Sequence, residues 1–295
     1  MNSKEPSALP SLLPAYFSNG QRFHHSESIV DLRDRGLAYG DGLFETMLAA
    51  NGSIPFWSYH HARLLRGVNH LGLCLDAVLL DAHCQSILEY LKSVAQPCVV
   101  KLVVTRGVTG RGYIPSASTP QLFATISEMP KNILHQTGCS VHLCQEKLAE
   151  PVSWAGLKTL NQLSYVLASA ERVHSQFDEG LMVSNSGNVI EATARNIFCV
   201  RDNELFTPDL KGCGVAGVMR ELIIKELAPT LTIPLNVVQL PLAELLDADE
   251  VFLCNSVTGL WPVTRCEANG KNYIWPVGDL TQSIQKLLTE LLSKT

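Results

Sequence analysis

The chain has 295 residues, of which 46% are hydrophobic and 17% are charged, and its formal net charge is −5. This length and composition are typical of a globular protein with enough sequence for two modest domains. The net negative charge gives no electrostatic basis for binding nucleic acid or an anionic membrane, so we expect neither as a partner. An anionic ligand would have to be held by locally placed arginines and backbone amides.

The cysteines and the apolar runs predict where the protein works. The nine cysteines form no CxxC pair and no zinc-like spacing, so the sequence predicts no metal site. Several lie inside apolar strings, such as Leu73-Cys74-Leu75 and Phe198-Cys199-Val200, which is typical of buried thiols in a reducing compartment. We see no basic region followed by an apolar core at the N-terminus and no run long enough to span a membrane. We therefore expect a cytoplasmic protein.

The first half of the chain predicts a small α+β domain. Its elements in chain order are strands at 43–48 and 54–57, helices at 58–71 and 79–94, and strands at 99–105 and 121–126. The first two strands flank Asn51-Gly52, a strong hairpin signal. After the last strand, the segment SEMPKN is polar and broken by a proline. We therefore place the small domain at 1–127, a linker at 128–132 and a larger domain at 133–295.

The second half predicts a larger, β-rich α+β domain. Its strands are predicted at 141–143, 180–184, 189–200, 205–207, 235–240 and 251–254. Its helices are predicted after Thr159 and at 218–227, 242–246 and 280–292. Helices and strands mixed in both halves indicate the α+β class.

A single lysine, Lys158, stands in the apolar stretch WAGLKTLNQL. Thr159, followed three residues later by Gln162, predicts a capping box at the start of a helix whose apolar residues continue to Phe177. Lys158 would then lie just before the first turn, where the helix terminus and apolar neighbours both favour the neutral amine. A neutral lysine is a nucleophile for carbonyl groups. The alternative is an ordinary surface lysine near a helix start.

Two polar segments could hold an anion. The glycines of GCGVAGVMR, residues 212–220, run directly into a predicted helix, so their free N–H groups could cradle a phosphate. The segment lacks the GxGxxG and GK[ST] fingerprints, and an ordinary loop is the alternative. Asn255-Ser256-Val257-Thr258-Gly259 follows an apolar strand and offers hydroxyl groups, although it could equally be a polar turn.

An acidic residue, Glu191, lies within a predicted strand. A carboxylate there needs a cationic partner or an exposed face, because burial without a partner costs several kcal/mol. Arg195 is near enough in sequence to be a structural partner, and a protonated heterocyclic nitrogen is the functional alternative. A reactive lysine, a phosphate cradle and an acid are together what pyridoxal 5′-phosphate requires.

From about Asp34 to Val263, the chain resembles the fold-type IV pyridoxal-phosphate enzymes. This family includes branched-chain and D-amino-acid aminotransferases and 4-amino-4-deoxychorismate lyase. The resemblance rests on five motifs in order: YGDGLFET, HHARL as HxxRL, GLKTLNQL, ExxxxNxF from Glu191, and GVMR from Gly217. It implies a two-domain fold-type IV architecture, usually homodimeric, with the cofactor between the domains and a small-molecule substrate.

The resemblance also implies roles for individual residues. Lys158 corresponds to the Schiff-base lysine, and Glu191 faces the pyridine nitrogen. Arg63 binds the phosphate with the amides of Val218 and Met219 and the hydroxyl of Ser256. The remaining matched positions are Asn196 and Gly217 for the cofactor, and Phe44 and Asn255 for the substrate.

Within the family, the strings AGLKTLNQL, CNSVTGLWPV and RGVTGRGY are more similar to aminodeoxychorismate lyase than to either aminotransferase. Branched-chain enzymes usually have glycine where Thr46 stands, whereas Arg195 departs from the small residue of many relatives. The implied reaction converts 4-amino-4-deoxychorismate to 4-aminobenzoate and pyruvate, a step toward folate, with Lys158 as general base. A D-amino-acid or branched-chain aminotransferase is the nearer alternative, and a non-catalytic phosphate-binding protein the more distant one.

The loop RGVTGRGYIP carries the densest cluster of cations for a substrate with two carboxylates. Arg111 and Tyr113 match the position where D-amino-acid aminotransferases bind a substrate carboxylate, and an arginine can hold a carboxylate by two parallel bonds. We therefore predict substrate contacts for Arg111, Tyr113 and Arg106. The alternative is a surface loop whose arginines face water.

Overall fold

The computed structural model describes residues 13–23, 29–131, 137–173 and 176–294. The elements of the first half are β1 (Ala15–Ser18), β2 (Gln21–Phe23), α1 (Arg35–Tyr39), β3 (Gly42–Ala49), α2 (Trp57–Leu71), α3 (Ala77–Leu91), β4 (Cys98–Thr105) and β5 (Gln121–Glu128). The strands form an antiparallel five-stranded sheet in the order β2-β1-β5-β4-β3.

Alternation along the strands builds the core of this first sheet. Cys98, Val100, Leu102 and Val104 of β4 are all buried, since alternate side chains of a strand point to the same face. Apolar residues of α2 and α3 pack in the same cluster, among them Leu64, Val68, Leu80 and Ile87.

The second half forms a ten-stranded mixed sheet with helices. Its elements up to the glycine-rich segment are β6 (Cys139–Leu143), α4 (Leu163–Ala170), β7 (Glu179–Val183), β8 (Asn188–Ala192), β9 (Asn196–Arg201) and β10 (Glu204–Pro208). The remaining elements are α5 (Val218–Leu222), a π-helical turn (Ile223–Leu227), α6 (Ala228–Thr230), β11 (Leu235–Val238), β12 (Leu240–Pro241), α7 (Leu242–Leu246), β13 (Glu250–Asn255), β14 (Gly259–Ala268), β15 (Lys271–Ile274) and α8 (Asp279–Leu292). The strand order is β11-β10-β9-β13-β14-β6-β7-β8-β12, with β15 paired to β14.

Helices α5 and α8 cover one face of this second sheet. Phe198 of β9 and Phe252 of β13 stack with ring centroids 5.1 Å apart. They share a buried cluster with Leu222 of α5 and Ile284 of α8. The α+β class predicted from the sequence is confirmed.

The predicted strand at 54–57 is wrong. Asn51-Gly52 does form a tight turn, closed by a bridge between Ala50 and Ser53, but no second strand follows it. Strand β4 pairs with β3 over its full length, from Gly42–Thr105 to Ala49–Cys98, whereas the pairing after the turn stops at the Ala50–Ser53 bridge. Phe56 adopts a left-handed φ of 58°, and α2 begins at Trp57.

The predicted capping box at Thr159 is also wrong. Helix α4 begins at Leu163, and its N-cap, Gln162, makes no side-chain cap. The Gln162 amide instead donates to the Thr159 carbonyl (3.0 Å), and Thr159 forms a bridge with Leu43 of β3. Residues near Thr159 therefore pair with β3 instead of forming the first turn of the helix. Lys158 lies in an extended segment.

The apolar face predicted for α4 is exposed on this chain. Leu163 is 71% exposed and Val166 is 60% exposed, whereas Ala168 is buried. The surface between Leu163 and Val173 thus presents several large apolar side chains to solvent.

The chain passes from the first sheet to the second between Glu128 and Cys139. Asn132 of the predicted linker lies outside the described residues, and the domain limits stay a prediction. All nine cysteines are free, and Cys74 is exposed, contrary to its apolar setting in the sequence. Within the described ranges, none of the helices has the length and apolar character needed to cross a membrane.

Candidate active site

A cavity of about 440 Å³ is lined by residues from both halves of the chain. It brings together nine of the thirteen residues predicted for the site: Phe44, Arg63, Lys158, Glu191, Asn196, Gly217, Val218, Asn255 and Ser256. Met219, Arg106, Arg111 and Tyr113 do not line it.

Lys158 is held in the cavity by strand β3. The backbone amide of Phe44 donates to the Lys158 carbonyl (2.9 Å), and Lys158 Nζ lies 4.4 Å from the centroid of the Phe44 ring. Burial, together with the positive charge of Arg63, lowers the pKa of Lys158 to about 8. The predicted direction of this shift is therefore confirmed, although its causes are burial and Arg63 rather than a helix terminus.

Glu191 is buried, and three donors hold its carboxylate. Oε1 accepts from the Tyr165 hydroxyl (2.5 Å) and the Val215 amide (2.9 Å), while Oε2 accepts from Asn196 Nδ2 (2.9 Å). Burial raises the pKa of Glu191 to about 7, and the hydrogen bonds oppose that shift. No ion pair to Glu191 is formed within the described residues.

Arg195 does not pair with Glu191, which settles the alternative left open by the sequence. Its Nη1 donates to the Thr258 hydroxyl (2.6 Å), and its Nε lies 3.5 Å from Glu179 Oε2. The guanidinium carbon lies 3.4 Å from the centroid of the Trp261 ring. The Arg195 side chain also lines the cavity.

Arg63 is fixed by a buried carboxylate. Glu45 of β3 accepts from Arg63 Nε (2.8 Å) and Nη2 (2.5 Å), and Arg63 Nη1 donates to the Ala216 carbonyl (3.0 Å). His60, one turn earlier on α2, lies 2.7 Å from Glu45 through Nδ1. Arg63 lowers the pKa of Glu45 to about 2 despite burial, so this carboxylate is ionised.

The glycine-rich segment approaches the cavity where α5 begins. Gly217 is the N-cap of α5 and offers no side chain, and a Cβ there would lie 1.9 Å from Asn196 Oδ1. Asn196 Nδ2 also donates to the Val215 carbonyl (2.9 Å), so one amide links the glycine segment to Glu191. The opposite rim carries Ser256, whose hydroxyl donates to the Thr46 carbonyl (2.9 Å).

Met219 packs its side chain in the core beside Leu222 and Phe252. Its predicted role concerns only the backbone amide and stays a prediction.

Arg106 is a structural residue, which corrects its assignment to the substrate. Its guanidinium donates to Asp41 through Nε (2.7 Å) and Nη2 (3.1 Å). It also donates to the carbonyls of Leu71 and Gly72 at the end of α2. Four of its five N–H groups therefore join the end of β4 to Asp41 and to the end of α2.

Arg111 and Tyr113 lie on an exposed loop outside the cavity. Tyr113 is 85% exposed and touches Tyr39, with ring centroids 5.5 Å apart. The loop backbone is tethered by Arg35, which donates to the carbonyls of Gly112 (2.7 Å) and Tyr113 (3.1 Å). On this chain alone, neither predicted residue reaches the site.

Sequence reasoning missed several residues around the cavity. Tyr165 bonds Glu191, Glu45 fixes Arg63, and Lys101 lines the cavity with its Nζ 5.0 Å from the Phe44 ring centroid. A signal existed for Glu45, because a glutamate at an inward position of a strand needs a cation. The sequence carried no signal for Tyr165 or Lys101, because only the fold brings these two residues to the cavity.

The comparisons with known proteins agree with this geometry. The family model for aminotransferase class IV matches residues 42–266. A solved 4-amino-4-deoxychorismate lyase from Pseudomonas aeruginosa is 39% identical, with a TM-score of 0.84 over 93% of this chain and 98% of that one. An aminodeoxychorismate lyase from Vibrio harveyi is 32% identical over 263 residues, covering 87% of this chain and 94% of the relative.

An aminotransferase relative is similar at a lower level. A putative branched-chain-amino-acid aminotransferase from Methanocaldococcus jannaschii is 29% identical over 285 residues, covering 94% of this chain and 96% of the relative. The family match spans most of the chain and both halves of the cavity lining, and it confirms the predicted fold-type IV architecture. The chain belongs to the aminotransferase class IV family, whose members depend on pyridoxal phosphate.

Proposed function

We propose that the protein is an aminodeoxychorismate lyase. It converts 4-amino-4-deoxychorismate to 4-aminobenzoate and pyruvate with pyridoxal 5′-phosphate, as a step of folate biosynthesis in the cytoplasm. The observation that carries the proposal is the pairing, in one cavity, of a lysine whose pKa is lowered to about 8 with a buried carboxylate that lacks an ion pair in the described part of the chain. The similarity to two lyases, at 39% and 32% identity, supports this reaction over amino transfer.

The residues around the cavity fit the cofactor. Glu191 is buried without a cation, and a protonated pyridine nitrogen is the kind of partner that offsets such a burial. Arg63 uses three of its five N–H groups on protein acceptors, which leaves two for a phosphate. Gly217 and Val218 leave open backbone at the start of α5, and Ser256 adds a hydroxyl. When bound, pyridoxal phosphate supplies an aldehyde for an amine and a ring that spreads negative charge from a substrate carbon.

Lys158 is the base in the proposed reaction. Its amine is substantially neutral near pH 8, so it can accept the proton from the amine-bearing ring carbon of the substrate. The electron pair released from that C–H bond expels the enolpyruvyl oxygen, and the substrate ring becomes aromatic. A proton delivered to the departing enolpyruvate gives pyruvate. The Glu191 carboxylate would stabilise the protonated pyridine nitrogen of the bound cofactor.

The two substrate carboxylates require cations beyond Arg63. Among the described residues, Lys101 and Arg195 are the further cationic side chains that line the cavity beside Lys158. Arg195 is held rigidly by Thr258 and Trp261, so it presents a fixed charge. Asn255 and Phe44 complete the proposed substrate surface.

A homodimer is part of the proposal. The loop with Arg111 and Tyr113 is exposed and does not reach its own cavity, so it can contact substrate only from a second copy. Two exposed apolar residues of this region, Leu163 and Val166, directly follow Gln162 and Tyr165 of the cavity lining. They offer apolar surface beside the cavity for that second copy.

The alternative is a D-amino-acid or branched-chain aminotransferase, which the similarity to the Methanocaldococcus jannaschii protein favours. The test supplies the cofactor-loaded protein with 4-amino-4-deoxychorismate alone, and separately with D-alanine or L-leucine plus 2-oxoglutarate. The lyase assignment predicts 4-aminobenzoate in the first reaction and at most slow glutamate formation in the second. Fast amino transfer without 4-aminobenzoate would replace the lyase by the aminotransferase, and inactivity in both would favour a non-catalytic phosphate-binding protein.

A further inference from the structure

We propose that His142, Cys144 and Glu171 form a zinc-binding site, separate from the candidate active site. One ligand atom from each residue, Nε2, Sγ and a carboxylate oxygen, lies within 4.8 Å of the other two. The residues line a cavity of about 600 Å³ that shares no lining residue with the cavity around Lys158. The proposal therefore does not depend on the proposed function.

The local structure brings the three side chains to one point. His142 and Cys144 are two positions apart at the end of β6, so their side chains lie on the same side of the extended chain. Glu171 is the C-cap of α4 and reaches the same place from the helix. Glu171 is 27 positions after Cys144 in the sequence, and the pattern matches no common zinc motif, which is why the sequence did not predict the site.

The carboxylate is held in position before any metal arrives. Glu171 Oε2 accepts from the Gln145 amide (2.9 Å), and Oε1 accepts from the Glu146 amide (3.0 Å). Each carboxylate oxygen has a further lone pair for a metal. A ligand fixed in this way loses little conformational freedom on binding, which favours a specific site.

The distances from His142 Nε2 to the other two ligand atoms are close to those around a bound zinc ion. His142 Nε2 lies 3.6 Å from Glu171 Oε2, which is too long for a hydrogen bond, and 3.8 Å from Cys144 Sγ. Zinc bonds of about 2.0–2.3 Å in a tetrahedron place ligand atoms about 3.3–3.6 Å apart. Contraction by a few tenths of an ångström would bring His142 to zinc spacing from both other ligands. The Cys144 and Glu171 ligand atoms, within 4.8 Å of each other, would approach by side-chain movement, and water would be the fourth ligand.

The surroundings support a ligand at this point. The side chains of His142 and Glu171 are 14% and 24% exposed, and Cys144 is 4% exposed. His142 Nδ1 is buried and has no hydrogen-bond partner among the described residues, and Nε2 makes a weak hydrogen bond with Cys144 Sγ (3.8 Å). A Cβ at Gly180 would lie 2.6 Å from Cys144 Sγ and 3.3 Å from His142 Cε1, so glycine keeps room for both ligands.

The ligand set selects the metal. Nitrogen, sulfur and one oxygen suit Zn²⁺, whereas Mg²⁺ and Ca²⁺ prefer oxygen ligands only. Binding forms a zinc–sulfur bond and releases the thiol proton to solvent, so thiolate and carboxylate together neutralise the ion. The bound ion would join β6 to α4, the helix that carries Tyr165 to Glu191.

The test measures zinc in the full chain after removal of metal with a chelator. The protein is incubated with Zn²⁺ and passed through a gel-filtration column, and zinc per chain is measured by elemental analysis. We expect one equivalent in the wild type and in the control Cys74→Ser, which changes an exposed cysteine. Cys144→Ser and His142→Asn should weaken zinc binding at least about ten-fold.

Cobalt provides a readout that does not need a variant to fold. Co²⁺ bound to the wild type should show a thiolate charge-transfer band in the near ultraviolet, and Mg²⁺ should not displace it. Less than half an equivalent of zinc in the wild type, a cobalt spectrum without the thiolate band, or equal zinc binding by Cys144→Ser and Cys74→Ser would each overturn the proposal.

Discussion

The backbone amide of Phe44 donates a hydrogen bond of 2.9 Å to the carbonyl of Lys158, and the Lys158 amine lies 4.4 Å from the centroid of the Phe44 ring. One residue of β3 therefore positions both the main chain and the side chain of the lysine. The ring face favours the ammonium form by about 0.5–2 kcal/mol. Burial and the charge of Arg63 act in the opposite direction and lower the pKa of Lys158 to about 8.

Replacement of Lys158 should abolish covalent attachment of the cofactor. Borohydride reduction of the cofactor-loaded wild type should fix pyridoxal phosphate on the peptide that contains Lys158, as mapped by mass spectrometry. Lys158→Ala should give no labelled peptide and almost no turnover while its far-ultraviolet circular dichroism stays native. Lys101→Ala is the control, because it removes another amine from the same cavity and should keep the label. A label on a different lysine in the wild type would refute the assignment.

Arg63 should hold the cofactor more than it serves the chemistry. Arg63→Gln should weaken pyridoxal phosphate binding by about ten-fold or more, since a charge-assisted hydrogen bond contributes about 1.5–3 kcal/mol. Ser256→Ala should have a smaller effect, because it removes a neutral hydroxyl that must leave the Thr46 carbonyl to donate to the phosphate. Arg66→Gln is the matched control on the same helix, since its side chain is 48% exposed and faces Glu221. Equal cofactor affinity in Arg63→Gln and Arg66→Gln would remove the phosphate role.

Glu45 should stabilise the fold in a pH-dependent way. Its pKa is lowered from 4.5 to about 2, so its charge stabilises the folded state above pH 4.5. That stabilisation is lost as the pH falls toward 2. Glu45→Gln should lower the free energy of unfolding of the cofactor-free protein by about 3–5 kcal/mol near pH 7, because it leaves Arg63 buried without a counter-charge.

Urea unfolding of both proteins from pH 7 down to pH 3 measures this effect. The difference between the wild type and Glu45→Gln should narrow below pH 4.5, whereas Glu290→Gln, at an exposed position, should match the wild type throughout. A difference that does not change with pH would show that the ionised form of Glu45 is not the source of the stability.

Replacement of Arg111 should reduce activity, whereas replacement of Arg106 should reduce stability. Arg111→Leu should lower kcat/KM for 4-amino-4-deoxychorismate by about ten-fold or more, which corresponds to about 1.4 kcal/mol, and should leave the thermal unfolding midpoint unchanged. Arg106→Leu should instead lower the free energy of unfolding by about 1–3 kcal/mol, because it removes the bonds to Asp41 and to the end of α2. Full activity of Arg111→Leu in the dimer would rule out its contact with substrate.

Much of the site could be predicted from the sequence because its residues belong to short, ordered motifs. Arg63, Glu191, Asn196 and Gly217 all lie at the cavity where the motifs placed them. Local spacing failed where tertiary pairing overrode it. Thr159 pairs with Leu43 instead of capping α4, and residues 54–57 lead into α2 instead of continuing the hairpin.

Charge on its own was a poor guide to the substrate site. Arg106 lies in the cationic loop, yet Asp41, 65 positions earlier, accepts two of its N–H groups, and the carbonyls of Leu71 and Gly72 accept two more. Pairing of Arg195 with Glu191 was one of two alternatives left open by the sequence, but Arg195 pairs with Glu179 and stacks on Trp261. In both cases the partner is distant in sequence, so only the fold determines which carboxylate each guanidinium meets.

The most direct test of the proposed function is the product balance from 4-amino-4-deoxychorismate. The cofactor-loaded protein is given this substrate without any 2-oxo acid, and 4-aminobenzoate and pyruvate are measured in the same sample, with Lys158→Ala in parallel. We predict equal amounts of the two products from the wild type and neither from the variant. Unconsumed substrate, or the same product yield from Lys158→Ala, would contradict the proposal.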